Sequence, residues 1–164
     1  MFPDTQNLTA AITTIKARKE WLDNIEPRQR PDIKLLGGSS LYSSNRILQE
    51  AGDAVEGLVV AVPWFRNAVK SINFTNAAEK QWGVKVGWYT ASSFDTTQVF
   101  IESFKLPPNL DKPMVLLNLP KVRLLPENTS REEVTFDKNT REMKRDEKLL
   151  KVENGKFVVM PEAN

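Results

Sequence analysis

The segment from Gly57 to Pro63 constrains the fold most strongly. Between its glycine and its proline it is apolar at every position, where an amphipathic strand would alternate apolar and polar residues. A strand that is apolar on both faces is typical of a sheet covered by helices on both sides. A second, mostly apolar run, Ile33 to Leu36, leads into Gly37-Gly38 and is predicted to be a buried strand that opens onto a loop.

Three longer segments have the apolar spacing of helices. They cover residues 8–25, residues 67–82, which Gly83 should end, and residues 88–104. Helices that alternate with buried strands indicate an α/β layered domain.

The third predicted helix carries a polar pair, Asp95 and Gln98, about one helical turn apart. Its apolar residues Phe94, Ile101 and Phe104 share a face, and Asp95 lies elsewhere. Inside a helix that packs on a sheet, such a pair more often satisfies neighbouring polar groups than it builds a ligand site. We therefore interpret Asp95 and Gln98 as structural.

The C-terminal third is predicted to end in a β-hairpin. Met114 to Leu119 has the length of a short helix, and Val134 to Phe136 has the composition of a strand. Leu149 to Val152 and Phe157 to Met160 flank Asn154-Gly155, the residue pair favoured in a tight type I′ turn.

Composition limits the chemistry of the chain. Its 164 residues are the size of one domain, so we expect a single domain over residues 1–164. The net charge of +2 gives no general attraction to nucleic acid. Histidine and cysteine are absent, which removes the usual general base, thiol nucleophiles and the commonest metal ligands. With no nucleophile–base pair, phosphate loop or metal constellation in the sequence, we expect neither an enzyme nor a cofactor or metal site.

The N-terminal residues Met1 to Asn7 lack both the basic and the apolar region of a signal peptide. The sequence has no apolar run of the roughly 20 residues that would cross a bilayer, so no membrane insertion is expected. Taken literally, the chain is cytoplasmic, or it was cut from a longer exported parent.

Three segments, in order, carry a family resemblance. They are Leu35 to Tyr42 (LLGGSSLY), Gly52 to Trp64 (GDAVEGLVVAVPW) and Trp88 to Gln98 (WYTASSFDTTQ). Together they resemble the C-terminal lobe of type I periplasmic binding proteins, specifically the branched-chain amino-acid ABC transporter class. The resemblance implies a three-layer, Rossmann-like lobe whose N-terminal counterpart is absent from this chain. It also implies a periplasmic location and a small-molecule solute such as an amino acid.

The same resemblance suggests ligand-binding residues. Ser39 and Ser40 occupy the loop where many members carry an acid for the ligand ammonium, and Tyr89 occupies a position where members often place an aromatic. Tyr42 and Trp88 are neighbouring candidates. For each residue a structural role is the alternative: helix capping for the two serines, and packing for the three aromatics.

The sequence is compatible with three functions. The chain is the partial substrate-binding component of an ABC-type amino-acid transport system, with an N-terminal-lobe polypeptide and an ABC permease as partners. Alternatively, it is a ligand-sensing fragment of a receptor. The third alternative is a truncated remnant without binding activity.

Overall fold

The computed structural model describes residues 8–43, 45–107, 112–131, 133–144 and 147–161. Its helices are α1 (Leu8–Asp23), α2 (Arg46–Ala51), α3 (Ile72–Trp82), α4 (Trp88–Lys105) and α5 (Lys112–Asn118), and its strands are β1 (Leu36–Gly37), β2 (Val59–Val62), β3 (Lys148–Glu153) and β4 (Lys156–Val159). The chain forms two compact units. Unit 1 comprises residues 1–62 and 147–164, and unit 2 comprises residues 63–146. The expectation of a single domain stays a prediction.

Unit 1 contains a four-stranded mixed sheet in the order β1-β2-β3-β4. Strand β1 is parallel to β2, and the other neighbouring strands are antiparallel. Val60 and Val62 of β2 are fully buried, whereas Val59 and Ala61 are half-buried. The predicted strand is therefore present, but its side chains are fully covered on one face only.

The predicted strand at Ile33 to Leu36 is largely wrong. Strand β1 is only two residues long, and Leu36 is 63% exposed. The Ile33 amide donates to the Pro31 carbonyl at 3.0 Å, so this amide is used in a tight turn and not in the sheet. Of the predicted strand, only Leu35 is buried.

Helix α1 confirms the predicted N-terminal helix and ends two residues early. Its buried side chains, Leu8, Ala11, Ile12 and Ile15, recur at the spacing of one helical face. The helix packs against α2 and the turn that follows it. The N-terminal residues Met1 to Asn7 lie outside the described residues.

The C-terminal hairpin is confirmed. Asn154 and Gly155 join β3 and β4 with φ values of 52° and 69°, the positive range that a type I′ turn requires. The turn also has a partner outside the hairpin, because the carboxylate of Glu56 accepts the amides of Asn154 at 3.1 Å and Gly155 at 2.6 Å.

We expect the substitution Glu56→Ala to lower the free energy of unfolding by about 1 kcal/mol, since water replaces the carboxylate at an exposed turn. Urea unfolding measures the change. Glu20→Ala, which removes an exposed glutamate from α1, should stay within about 0.5 kcal/mol of the parent. Equal losses in the two variants would show that the Glu56 carboxylate does not support the hairpin.

Unit 2 is built mainly from α3 and α4. The predicted helix over residues 67–82 begins only at Ile72, because the Ala68 and Ser71 amides close two successive turns before it. Its end is as predicted, since Gly83 adopts a φ of 68° and donates to the Glu79 carbonyl at 2.9 Å.

Helix α4 has the predicted bounds to within one residue, but its predicted apolar face is wrong. The buried residues are Ala91, Asp95, Val99 and Ser103. Ile101 and Phe104 are exposed. The face that packs is therefore a stripe of small and polar residues four positions apart.

The remaining elements of unit 2 are irregular. Helix α5 begins two residues earlier and ends one residue earlier than predicted. Val134 to Phe136 forms two isolated bridges, Leu124 with Val134 and Phe136 with Met143, and no continuous strand. The first bridge belongs to a small core of Val99, Val122, Leu124 and Val134, and the residues of the second bridge pack against this core.

Candidate functional site

The first group of predicted site residues lies in unit 1, directly after β1. Ser39 to Tyr42 form one turn of 3-10 helix, in which the Leu41 amide donates to the Gly38 carbonyl at 3.1 Å. Leu41 is only 1% exposed and anchors the turn. A Cβ at position 37 would overlap the end of the Leu41 side chain, so any other residue there would force this buried side chain to move.

Ser39, Ser40 and Tyr42 are half-buried. The Ser40 carbonyl accepts both the amide and the hydroxyl of Ser43, which closes the turn. The Tyr42 ring meets Phe157 of β4 edge to face, with ring centroids 5.3 Å apart. Packing therefore accounts for one edge of Tyr42, and its contact with a ligand stays a prediction.

The second group, Trp88 and Tyr89, lies in unit 2 at the start of α4. The helix begins after Gly87, which is in extended conformation. The two rings stack at 3.7 Å with an interplanar angle of 27°, and Tyr89 is 53% exposed. Trp88 packs against a cluster of buried residues, namely Trp64, Ala78, Val86 and Ala91. An exposed tyrosine thus stacks on a tryptophan that packs against the core.

Two polar atoms on this helix are buried without a partner. Trp88 Nε1 and Ser92 Oγ form no hydrogen bond with any residue that the structure describes. Residues four positions apart share a helix face, so both groups lie on the same side of α4. Buried indole and hydroxyl groups are normally paired with protein, water or ligand atoms, so this side of α4 has unused hydrogen-bonding capacity. Ser92 is not among the site residues predicted from the sequence. Its spacing of four residues from Trp88 nevertheless indicates that the two share a helix face.

The buried Asp95 carboxylate is fully satisfied within unit 2. It is 0% exposed and accepts the Ser130 amide at 2.6 Å, the Ser130 hydroxyl at 2.8 Å and Arg131 Nε at 3.1 Å. Its partners are neighbouring groups, as the structural interpretation of Asp95 predicted. They lie 35 and 36 residues away along the chain.

The same network extends to the residues that follow β2. Arg131 Nη1 donates to the Pro63 carbonyl at 2.9 Å, and the Trp64 indole donates to the Ser130 carbonyl at 2.9 Å. Trp64 is only 2% exposed, so its role is packing. The network holds the segment at Pro63 and Trp64, the loop at Ser130 and helix α4 in fixed positions.

A charged turn lies at residues 137–141 of unit 2, where the Arg141 amide donates to the Asp137 carbonyl at 2.9 Å. Asp137 accepts the amides of Thr140 at 2.9 Å and Asn139 at 2.8 Å. These hydrogen bonds hold the pKa of the Asp137 carboxyl below its ordinary value. Arg141 has a φ of 61°, so the turn reaches left-handed backbone without glycine.

Among the described residues, no group of acidic side chains is arranged to hold a metal ion. Nor does this part of the chain contain a helix long and apolar enough to span a bilayer.

Comparison of the structure with solved structures gives a consistent result. A leucine-binding protein of Thermotoga maritima matches with a TM-score of 0.72 and 15% identity, over 94% of this chain and 41% of its own. A branched-chain amino-acid ABC transporter protein of Rhodospirillum rubrum matches with a TM-score of 0.71 and 22% identity, over 93% of this chain and 42% of its own. A solute-binding protein of R. palustris in complex with benzoate matches with a TM-score of 0.62 and 15% identity, over 97% and 47%.

Sequence comparisons add nothing to this result, because no protein-family model and no curated protein matches the chain. The fold is that of the type I periplasmic binding proteins, and the resemblance drawn from the sequence is confirmed at the level of the fold. Within that class, the similarity extends to the solute-binding proteins of branched-chain amino-acid ABC transporters. The chain spans less than half the length of these proteins.

Proposed function

We propose that this chain is part of the solute-binding component of an ABC-type transport system and that Trp88 and Tyr89 contact the solute. The observation that carries the proposal is the pair of stacked rings at the start of α4. One ring is half exposed, and the other holds a buried N–H with no partner among the described residues. The fold of the chain supports the same role.

The chemistry of this pair favours a small solute with an apolar body and a hydrogen-bond acceptor. The Tyr89 ring offers flat apolar surface, and the Trp88 indole can only donate. An unpaired buried donor costs about 1–3 kcal/mol, and a solute oxygen recovers this cost when the Trp88 ring moves enough to expose its N–H. A branched-chain amino acid or another small carboxylate meets both requirements. A role of Ser39, Ser40 and Tyr42 in solute binding stays a separate prediction for unit 1.

The proposal includes partners and a compartment. An N-terminal-lobe polypeptide supplies the second wall of the site, and an ABC permease receives the solute. The location of the working protein is the periplasm. One wall covers much less of a solute than the roughly 70–90% that a formed pocket buries, so the affinity of the chain alone should be low.

We therefore expect titration calorimetry of the isolated chain with leucine, valine, alanine, glutamate and short amides to detect no binding in the micromolar range. Micromolar affinity for any of these compounds would contradict the proposal that this chain provides only one wall.

A more sensitive measurement tests the site itself. In ¹H–¹⁵N spectra each of the four tryptophans gives one indole signal, and Trp88→Phe assigns the signal of interest. Millimolar solute should shift the Trp88 indole signal, because its N–H gains an acceptor. The indole of Trp21, which is 50% exposed in unit 1, is the internal control. No selective shift with any solute, or an equal shift of both signals, would contradict the assignment of Trp88.

A further inference from the structure

Unit 2 contains a cavity of about 560 Å³ that neither Trp88 nor Tyr89 lines. Its volume lies in the range of about 300–1,000 Å³ that is usual for small-molecule sites. Helix α3 forms one side, and α4 and the loop before Arg131 form the others.

The apolar part of this cavity is lined mainly by aromatic side chains. Phe74 and Trp82 project from α3, eight residues apart and so on the same face, and Phe94 faces them from α4. The Phe74 and Phe94 rings are 5.0 Å apart and tilted by 44°. Ala77 of α3 also lines the cavity, and a larger side chain at this exposed position would occupy part of the space. Aromatic walls around a small residue favour a planar aromatic ligand.

The charged residues of the lining favour an anion. Lys70 and Arg131 both line the cavity, and Glu127 is the single acidic residue among the lining side chains that the structure describes. The guanidinium of Arg131 is held in place by its bonds to Asp95 and the Pro63 carbonyl. A guanidinium has five N–H donors, so it can keep these two bonds and still donate to a ligand.

From this combination we propose that the cavity is a second ligand site, distinct from the proposed solute site, and that it binds planar aromatic anions. The ring packs against Trp82 and against the wall formed by Phe74 and Phe94, and the anionic group faces Lys70 and Arg131. The proposal does not depend on transport of any solute by the proposed solute site.

The test uses the fluorescent probe 8-anilinonaphthalene-1-sulfonate, which is both aromatic and anionic, on the full chain. We expect one bound probe per chain. Ala77→Trp fills part of the cavity from an exposed helix position and should weaken binding more than tenfold. Ala17→Trp places the same residue at an exposed position of α1 and should leave the affinity unchanged. Circular dichroism verifies that both variants are folded. Equal effects of the two substitutions would overturn the proposed site.

A second pair of measurements tests whether the cavity prefers an anionic ligand. Lys70→Met keeps the apolar stem and should weaken binding of the sulfonate probe about three- to fivefold. Binding of the uncharged analogue N-phenyl-1-naphthylamine should not change. If both probes respond equally to Lys70→Met, the assignment of an anion is wrong. Tyr89→Ala should affect neither probe, so failure of the proposed solute site and failure of this cavity give different results.

Discussion

Replacing Asp95 with alanine should lower the free energy of unfolding by about 3–5 kcal/mol, as expected when one partner of a buried ion pair is removed. The carboxylate is 0% exposed, and the Arg131 side chain that it pairs with is only 13% exposed. The substitution leaves this cation without its counter-charge. It also removes the acceptor of the buried amide and hydroxyl of Ser130. Urea unfolding followed by tryptophan fluorescence measures the loss.

Two controls separate the network from the general effect of truncating an aspartate. Asp53→Ala removes an exposed aspartate and should change stability by less than about 0.5 kcal/mol. In the double variant Asp95→Ala/Arg131→Ala the loss should be smaller than the sum of the two single losses, because the charge left unpaired by one substitution is removed by the other. Additive losses, or a loss below about 1 kcal/mol for Asp95→Ala, would show that the ion pair does not stabilise unit 2.

The burial of Asp95 illustrates what the sequence could not predict. Helical periodicity assigns an aspartate to the exposed side, and the large apolar residues Ile101 and Phe104 to the buried one. The structure reverses this assignment because Asp95 finds its donors at Ser130 and Arg131, more than 30 residues away. Local spacing contains no information about a partner at that distance.

Features set by local backbone chemistry were predictable. Gly83 ends α3 because glycine adopts positive φ without strain, and Asn154-Gly155 closes the hairpin for the same reason. Strand β1 was not predictable in this way, since its extent depends on how far β2 pairs with it. The apolar composition of Ile33 to Leu36 indicated a strand, but the turn at Pro31 shortened it.

The candidate site was predictable in part. The resemblance points to Trp88 and Tyr89, whose contact with a solute stays a prediction, and the structure adds their stacking and the unpaired indole N–H. The cavity beside α3 had no counterpart in the sequence analysis. Its walls come from α3, α4 and the loop before Arg131, and only the folded chain brings these segments together.

The second large effect is expected at Leu150, in the sheet of unit 1. Leu150 is 0% exposed and lies between Val60 of β2 and Val159 of β4. Leu150→Ala removes buried methyl groups and leaves a cavity, which should cost about 2–5 kcal/mol. Leu149 is the matched control, because the adjacent residue of the same strand faces the opposite side and is 51% exposed. Leu149→Ala should cost much less, and equal losses would contradict the burial that distinguishes the two positions.

Leu150→Ala also tests the prediction of a single domain. Trp64, Trp82 and Trp88 lie in unit 2, so fluorescence reports mainly on that unit, whereas circular dichroism reports on both. If residues 1–164 unfold as one domain, Leu150→Ala in unit 1 lowers the urea midpoint equally by both measurements. If the chain unfolds as one domain, Asp95→Ala in unit 2 also lowers the urea midpoint equally by fluorescence and by circular dichroism. A fluorescence midpoint that Leu150→Ala leaves unchanged would mean that the two units unfold separately, and the single-domain prediction would be wrong.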